Sequence, residues 1–536
     1  MTKKILYGDL ARKAIFEGID AVNRATSCTL GPAGKNAALS KGWGGPTITN
    51  DGVSIAREIM LEDEFQDMGA QIVRGVAEKT NDSAGDGTTT SILLTHAIIT
   101  NGLKYIATGA NVIEVKDGIK KATTAVVEAI KGIATPIKND EETRQVATIS
   151  AESSEVGGII CDIIKKLGND GIITVEEGQT AGVVSEITQG MDFDRGFISP
   201  YMVTNQEKME AEYSHPYILV TDQKITNAQE ILPILEAVMT TGKKELVIIA
   251  DDVTGDALHT FVINKMRGLF STLAIKSPGF GERRKDYLQD ICVITGATLV
   301  SSDTGKTLDK ATIEDLGQAS RVISIKDKTT IVGGIGKKEN IDARISVARQ
   351  ELEKTESKHD KIKIEERIAK LSGGVAVIKV GAATETEMKY LKLKIEDAVN
   401  ATKAALEEGI VPGGGVALLR ARKNIKKPEG LTYDEEIGFN IVLNALGAPL
   451  RQIGSNGGMG DGSGVLERVE AMEELNGGFN ASKKVYTTDM IKDGIVDPVK
   501  VTRNCIENAA SAAGTFLTTD VAIVEKKEKK NDLPDK

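Results

Sequence analysis

Gly85-Asp86-Gly87-Thr88-Thr89-Thr90 is set between a charged amphipathic segment, Glu62 to Lys79, and an apolar one, Ile92 to Ile106. Apolar residues at helical spacing on both sides predict two helices, with this hexapeptide as the break between them. Glycines, one carboxylate and three hydroxyls therefore lie where a loop becomes a helix. Unpaired backbone N–H groups, Thr oxygens and a hard carboxylate oxygen converge there, which is the donor set a magnesium-bound nucleotide phosphate needs. A glycine turn followed by threonine caps produces the same pattern with no ligand. Taken alone, the hexapeptide leaves both readings open.

Three more loops share its composition: Thr29 to Gly34, Asn50-Asp51-Gly52, and Gly413-Gly414-Gly415. Four such loops beside helix starts suggest one composite phosphate site, for which Asp51, Asp86 and Asp397 are the candidate carboxylates. Each carboxylate singly also reads as a cap or a surface charge. Two familiar nucleotide signatures fail. Gly305-Lys306-Thr307 resembles the end of a P-loop, but Val300 stands where its first glycine is required. Gly279-Phe280-Gly281 continues into Glu282-Arg283-Arg284 and gives no dinucleotide fingerprint.

The chain has 536 residues, enough for roughly three or four domains. Aromatics are only 4% of it against 40% for hydrophobic residues as a whole, so the core must be aliphatic. A net charge of −10 with interspersed signs argues against a nucleic-acid surface. Cys28, Cys161, Cys292 and Cys505 lie more than a hundred residues apart with no His nearby, as expected of reduced thiols rather than a zinc site. Neither a targeting segment nor a membrane span is evident, so we expect use in the compartment of synthesis.

Along the chain, periodicity predicts helices over 10–25, most of 53–132, 155–167 and 385–408, with short strands at 37–39 and 47–49. Residues 190–330 alternate strands (217–221, 245–250, 271–276, 291–299) with helices (226–240, 255–268), the texture of an α/β domain. Residues 337–371 read as a charged helical pair, 375–380 as a buried strand, and Glu525 to Lys536 as disordered.

Longer motifs now carry a resemblance. Thr29-Leu30-Gly31-Pro32, Asn50-Asp51-Gly52-Val53, the stretch Asn81 to Thr90, Phe193-Asp194-Arg195-Gly196 and Pro278 to Arg284 are similar to those of the group I chaperonin (GroEL) family. So are Leu371 to Thr384, Glu396-Asp397-Ala398, Glu407-Glu408-Gly409 and Asp497-Pro498, in unbroken order from about residue 5 to 525. The resemblance implies a multidomain α and α/β fold: a mostly helical equatorial domain (1–132 with 408–536), a small α/β intermediate domain (133–188 with 375–407) and an α/β apical domain (189–374). It implies an ATPase that folds non-native polypeptides in a homo-oligomer of two stacked heptameric rings, with a GroES-type cochaperonin, in bacterial cytoplasm. A ring-forming scaffold with weak ATPase is the alternative.

Carried over by residue, Thr29, Leu30, Gly31, Pro32, Asn50, Asp86, Gly87, Thr88, Thr89 and Thr90 would hold the ATP phosphates, with Asp86 on Mg2+. Gly414, Asn480, Ala481, Ser482 and Asp497 would hold base and ribose. Asp397 would act on the attacking water, assisted by Asp51. Phe197, Tyr201, Met202, Leu232, Leu235, Leu258, Val262 and Ile263 would form the polypeptide-binding surface. The pairs Arg195 with Glu385, Asp82 with Lys326, and Glu408 with Arg503 resemble switching contacts. Departures are Asn50 in place of a common Lys, Ala33 and Lys35 in place of Lys and Arg, a charged tail in place of a Gly-Gly-Met repeat, and the glycine-rich stretch Gly454 to Gly464, which the resemblance does not explain.

Overall fold

A computed structural model describes every residue except 1, 41–45, 169–170, 179, 207, 280, 302, 304, 356 and 526–536. The tail expected to be disordered lies outside the described residues apart from Glu525, and so does most of the link between the two short strands near residue 40. Contacts divide the chain into two compact units, one of Met1–Asp162, Glu177–Val183 and Val380–Lys536, the other of Ile163–Glu176 and Val184–Lys379. The expected 1–132 and 408–536 segments fall in the first unit, and 189–374 falls in the second.

The first unit is helical. Long helices span Gly8–Ser27, Glu64–Ala84, Thr88–Ile106, Val112–Gly132 and Val499–Leu517, and they bury Ile15, Ile19, Val73, Leu94, Ile98, Ile119, Val126, Ile506 and Phe516 in a common aliphatic core. The second of them starts and stops on local signals. Asp63 caps the Glu64–Ala84 helix by accepting the N–H groups of Phe65 and Gln66, and Gly85 ends it in the left-handed conformation. The Gly8–Ser27 and Glu64–Ala84 helices touch backbone to backbone: a Cβ on Gly18 would lie 1.7 Å from the Gln66 carbonyl, and one on Gly69 would lie 1.9 Å from that of Ile15. Strand Lys3–Tyr7 pairs antiparallel with Val521–Glu525, joining opposite ends of the described chain. No helix among the described residues is long and apolar enough to cross a membrane.

The second unit is built on a seven-stranded mixed sheet. Ser271–Lys276, Glu245–Ala250 and Tyr217–Val220 run parallel, joined by crossovers containing helices Leu232–Thr240 and Gly255–Met266. Gly317–Ser324, Thr329–Gly334 and Gly190–Phe193 continue the order antiparallel, and Ala211–Ser214 pairs with Gly317–Ser324. The charged pair over 337–371 is found as helices Lys338–Lys354 and Lys358–Gly373. Arg344 on the first and Arg367 on the second both donate through Nε to the fully buried carboxylate of Asp290, at 2.6 and 2.5 Å.

Two expectations change. Residues 291–299 are not a strand; Glu282–Thr295 is a helix that stops at left-handed Gly296. Ile291, Cys292 and Ile294 in it are buried, and a short buried apolar run does not distinguish helix from strand by period. The helix expected over 226–240 is a single 3₁₀ turn, Ala228–Ile231, followed by an α-helix from Leu232. Pro233 stands in the first turn of that helix, where a missing N–H costs nothing.

Candidate functional site

Asp86 sits between Gly85 (φ 69°) and Gly87 (φ 84°), both left-handed. The chain therefore reverses within three residues and delivers Asp86 to the N-terminus of the Thr88–Ile106 helix. Its Oδ1 accepts the Gly87 N–H at 2.5 Å. Thr88 and Thr89 are buried and Thr90 is half-buried. The second loop abuts this turn: a Cβ on Gly52 would lie 2.4 Å from Thr89 Oγ1 and 2.9 Å from Thr88 Oγ1. The fourth loop joins through Asp497, which lies on strand Val496–Pro498 opposite Ile410–Pro412 and accepts the N–H groups of Gly414 and Gly415.

Electrostatics show that the carboxylates share one environment. Burial pushes the Asp86 carboxyl up to about 6, against the Gly87 N–H, with the charge of Asp51 adding to the rise. Burial pushes Asp497 up to about 7, and the charge of Asp86 raises it further, against the two glycine N–H groups. Cys505, whose thiol donates to the Gly87 carbonyl at 3.1 Å, is raised by burial and by both aspartates. Asp51, Asp86 and Asp497 are half-buried, and carboxylates clustered in such a place repel one another unless a cation joins them. Among the described residues no three His, Cys, Asp or Glu side chains form a metal cage by themselves. A hard cation here would complete its shell with phosphate and water oxygens, as magnesium does.

The remaining candidates take definite places. Asp51 caps the Gly52–Glu58 helix, its oxygens receiving the Val53 N–H at 3.2 Å, the Ser54 N–H at 3.0 Å and the Ser54 hydroxyl at 2.5 Å. Its carboxylate is thus already engaged, and its reach into the cluster is through charge. Asn50 precedes this cap, half-buried. Thr29 is buried and donates to the Thr26 carbonyl at 2.8 Å. Leu30, Gly31, Ala33 and Gly34 are half-buried, whereas Pro32 and Lys35 are exposed. Leu30 packs on a small apolar cluster containing Phe479, Ala481 and Met490, and Met490 also lies beneath Gly414, 3.4 Å from where a Cβ would stand. Asn480 is buried with its Oδ1 receiving the Lys483 N–H, whereas Ser482 is exposed. Asp397 is half-buried on the Glu385–Glu408 helix, one turn before Asn400. Asn400 packs directly on Gly85, whose Cβ would lie 2.2 Å from its own. Asn400 and Cys505 carry no sequence signal: each matters through what it touches.

The family model of the TCP-1/cpn60 chaperonins matches residues 22–527. The chain belongs to that family. Its fold is similar to that of the chaperonin gp146 from the bacteriophage EL 2 (Pseudomonas aeruginosa), solved in the presence of ATP-BeFx, with a TM-score of 0.67 at 21% identity over 98% of this chain and 99% of that one.

In the chaperonin's second unit the eight apolar candidates separate. Tyr201 (69% exposed) and Leu232 (47%) face solvent, and Leu258, Val262 and Ile263 are half-buried. Phe197, Met202 and Leu235 belong instead to the interior and offer little surface to a client: Met202 is fully buried and its sulfur accepts the Ala274 N–H at 3.2 Å. Amphipathic helices on a sheet turn part of each apolar stripe inward, and sequence does not say which part. Met239, Met266 and Leu269, outside the expected set, are also exposed on these helices and the turn after them. Of the switching pairs, Glu408 and Arg503 are joined in this structure, with Arg503 Nε donating at 2.7 Å.

Proposed function

We propose that this chaperonin binds and hydrolyses ATP with Mg2+ in its first unit and captures non-native polypeptide on the apolar surface of its second. The observation that carries the reading is the gathering of Asp51, Asp86 and Asp497 where three glycine-bearing loops meet helix N-termini. Asp86 would hold the cation, and Mg2+ would supply neutralisation of charge on the phosphates. The backbone N–H groups of Thr88 to Thr90 and of Gly31 would orient the phosphates, and the wall of Leu30, Ala481 and Met490 would face the base and exclude water. Asp397 would orient the attacking water from a helix seated on the phosphate loop through Asn400. Movement of that helix would then gate hydrolysis.

By the same reading the assembly is two stacked heptameric rings, closed by a GroES-type cochaperonin and working in bacterial cytoplasm. Tyr201 and Leu232 would meet extended or helical apolar segments, with Met239 and Met266 adapting in shape. Asp397→Ala tests the catalytic half: rings and ATP binding should persist while turnover falls by roughly a hundredfold or more. Unchanged turnover removes Asp397 from the chemistry. A stable monomer that hydrolyses ATP yet captures no denatured client would sink the folding role.

A further inference from the structure

The glycine-rich stretch Gly454–Gly464 links helix Ala448–Asn456 to helix Ser463–Ala471. It is a tight, clasped return. Gly462 (φ 78°) passes so close to the first helix that a Cβ would lie 1.9 Å from the Arg451 carbonyl. Arg451 closes the return, donating from Nε to the Asp461 carbonyl at 3.2 Å and from Nη2 to its carboxylate at 2.8 Å. Asp461 in turn receives the Ser463 N–H at 3.0 Å and hydroxyl at 2.8 Å, starting the next helix. Only glycine tolerates that approach in that conformation, so the composition fixes the end of the first helix rather than loosening it.

Asn456 stands at that fixed end and points across to the first nucleotide loop. Its Nδ2 donates to the Ser27 carbonyl and to the Leu30 carbonyl, each at 2.9 Å, while its Oδ1 receives Gln452 Nε2 at 2.9 Å. Both polar atoms of the amide face complementary partners, which sets its orientation. Ser27 ends the Gly8–Ser27 helix, where its carbonyl accepts the Leu30 N–H at 3.3 Å and has a second lone pair for Asn456, and Leu30 lies inside the loop expected to hold phosphate. One turn earlier, Ile453 fills the space under Gly31, 3.1 Å from where a Cβ would stand.

We propose that Asn456 is a positioning residue for nucleotide binding: by holding the Ser27 and Leu30 carbonyls it fixes Thr29-Leu30-Gly31-Pro32 in the geometry that receives a nucleoside triphosphate. This inference rests on the ATP reading above and assigns the glycine-rich stretch its role as the mount for that clamp. Asn456→Asp keeps size and shape but turns an oxygen toward two carbonyls; Asn456→Ala removes the donor that ties them together and leaves Ser27 with the Leu30 N–H alone.

In the full-length assembled protein, KM for ATP and Kd for Mg-ADP by calorimetry should rise roughly tenfold in Asn456→Asp and somewhat less in Asn456→Ala, with kcat at saturation within about twofold of the parent. Native mass and thermal midpoint serve as the folding control. Folded variants with unchanged KM and Kd overturn the clamp, as does a loss confined to kcat. Should both variants misfold, Gln452→Ala releases only the Asn456 carbonyl oxygen and should raise KM about threefold; no change there overturns it too. A parent protein that binds no Mg-ADP defeats the ATP reading and the clamp together, whereas a parent that binds and variants that match it defeat the clamp alone.

Discussion

Replacing Gly52 with alanine isolates the contact between two of the loops proposed to hold the nucleotide. Gly52 is the first residue of its helix and its backbone is in an ordinary region. Alanine therefore fits the conformation, and by propensity it should favour the helix by up to about 1 kcal/mol. Any loss must come from space. The new methyl would meet Thr89 Oγ1 at 2.4 Å, the Thr89 nitrogen at 2.8 Å and Thr88 Oγ1 at 2.9 Å, against an ordinary contact of at least 3.4 Å. The loops must separate by about 1 Å to restore ordinary contact, carrying the buried first turn of the Thr88–Ile106 helix away from Asp51. Overpacking of this kind costs about 1–3 kcal/mol, and a displacement near about 1 Å at a reacting group costs about a hundredfold in rate. Steady-state ATP turnover and thermal melting read both effects. Gly75→Ala is the matched control, because Gly75 is exposed in the Glu64–Ala84 helix with nothing within 4 Å of a Cβ. That variant should keep full turnover and gain up to about 1 kcal/mol. Turnover of Gly52→Ala within about threefold of the parent, at unchanged stability, would refute the claim that this contact sets the phosphate site.

Asp290→Ala removes the buried carboxylate that Arg344 and Arg367 share through Nε, leaving Arg344 only Asp286 and Arg367 only the longer contacts to Asp286 and Glu351. It should cost about 3–5 kcal/mol in urea unfolding of the second unit, and a loss under about 1 kcal/mol would contradict the pairing. In nucleotide-free protein, Asp86 and Asp497 bind protons more tightly folded than unfolded, because their folded values of about 6 and about 7 exceed 3.8. Stability should therefore decline as pH rises from about 4 and level off above about 7. Asp497→Asn should flatten that decline and leave the protein on the order of 2–4 kcal/mol more stable at about pH 8 than the parent, with no gain at about pH 4. An equal pH dependence in both proteins would show that Asp497 is not held in a strained field. Tyr201→Ser with Leu232→Ser should weaken capture of a denatured client without lowering the melting temperature, whereas Leu235→Ser should lower it by cutting into the core. The reverse pattern would move the client surface elsewhere.

The helices of the first unit are legible in the sequence because Asp63, Gly85, Thr384 and Gly409 mark ends and the apolar period between them is long. The Thr88–Thr90 turn is legible as a helix start for the same reason. What spacing does not encode is association. That Asp497 lies in the field of Asp86, from the far end of the chain, follows from tertiary packing alone, and motif resemblance rather than periodicity joins the two ends. The Lys3–Tyr7 strand escapes a reading by pattern because it pairs only with Val521–Glu525 and has no buried residue of its own, so no alternation betrays it. The 291–299 segment reads as a strand because Ile291, Cys292 and Ile294 are as apolar as a core strand, and burial hides the difference. Asp51 shows the opposite limit: the N-cap and the phosphate loop ask for the same residue, and here the cap is what its oxygens hold.

The pairing of early and late helices also sets a timetable for synthesis. The helix at Thr88–Ile106 packs against Val499–Leu517, so the ribosome must travel most of the length of the message before the partner exists. At roughly 5–20 residues per second that is a wait of about 20–80 s with the face of that helix around Gly102, which meets Leu517, uncovered. The second unit's sheet, contained between residues 190 and 334, can close while translation continues. The nascent first unit is thus a long-lived open chain of the kind that itself calls for protection, and a truncation between the end of the second unit and Val499 should leave the second unit protease-resistant and the first one digestible.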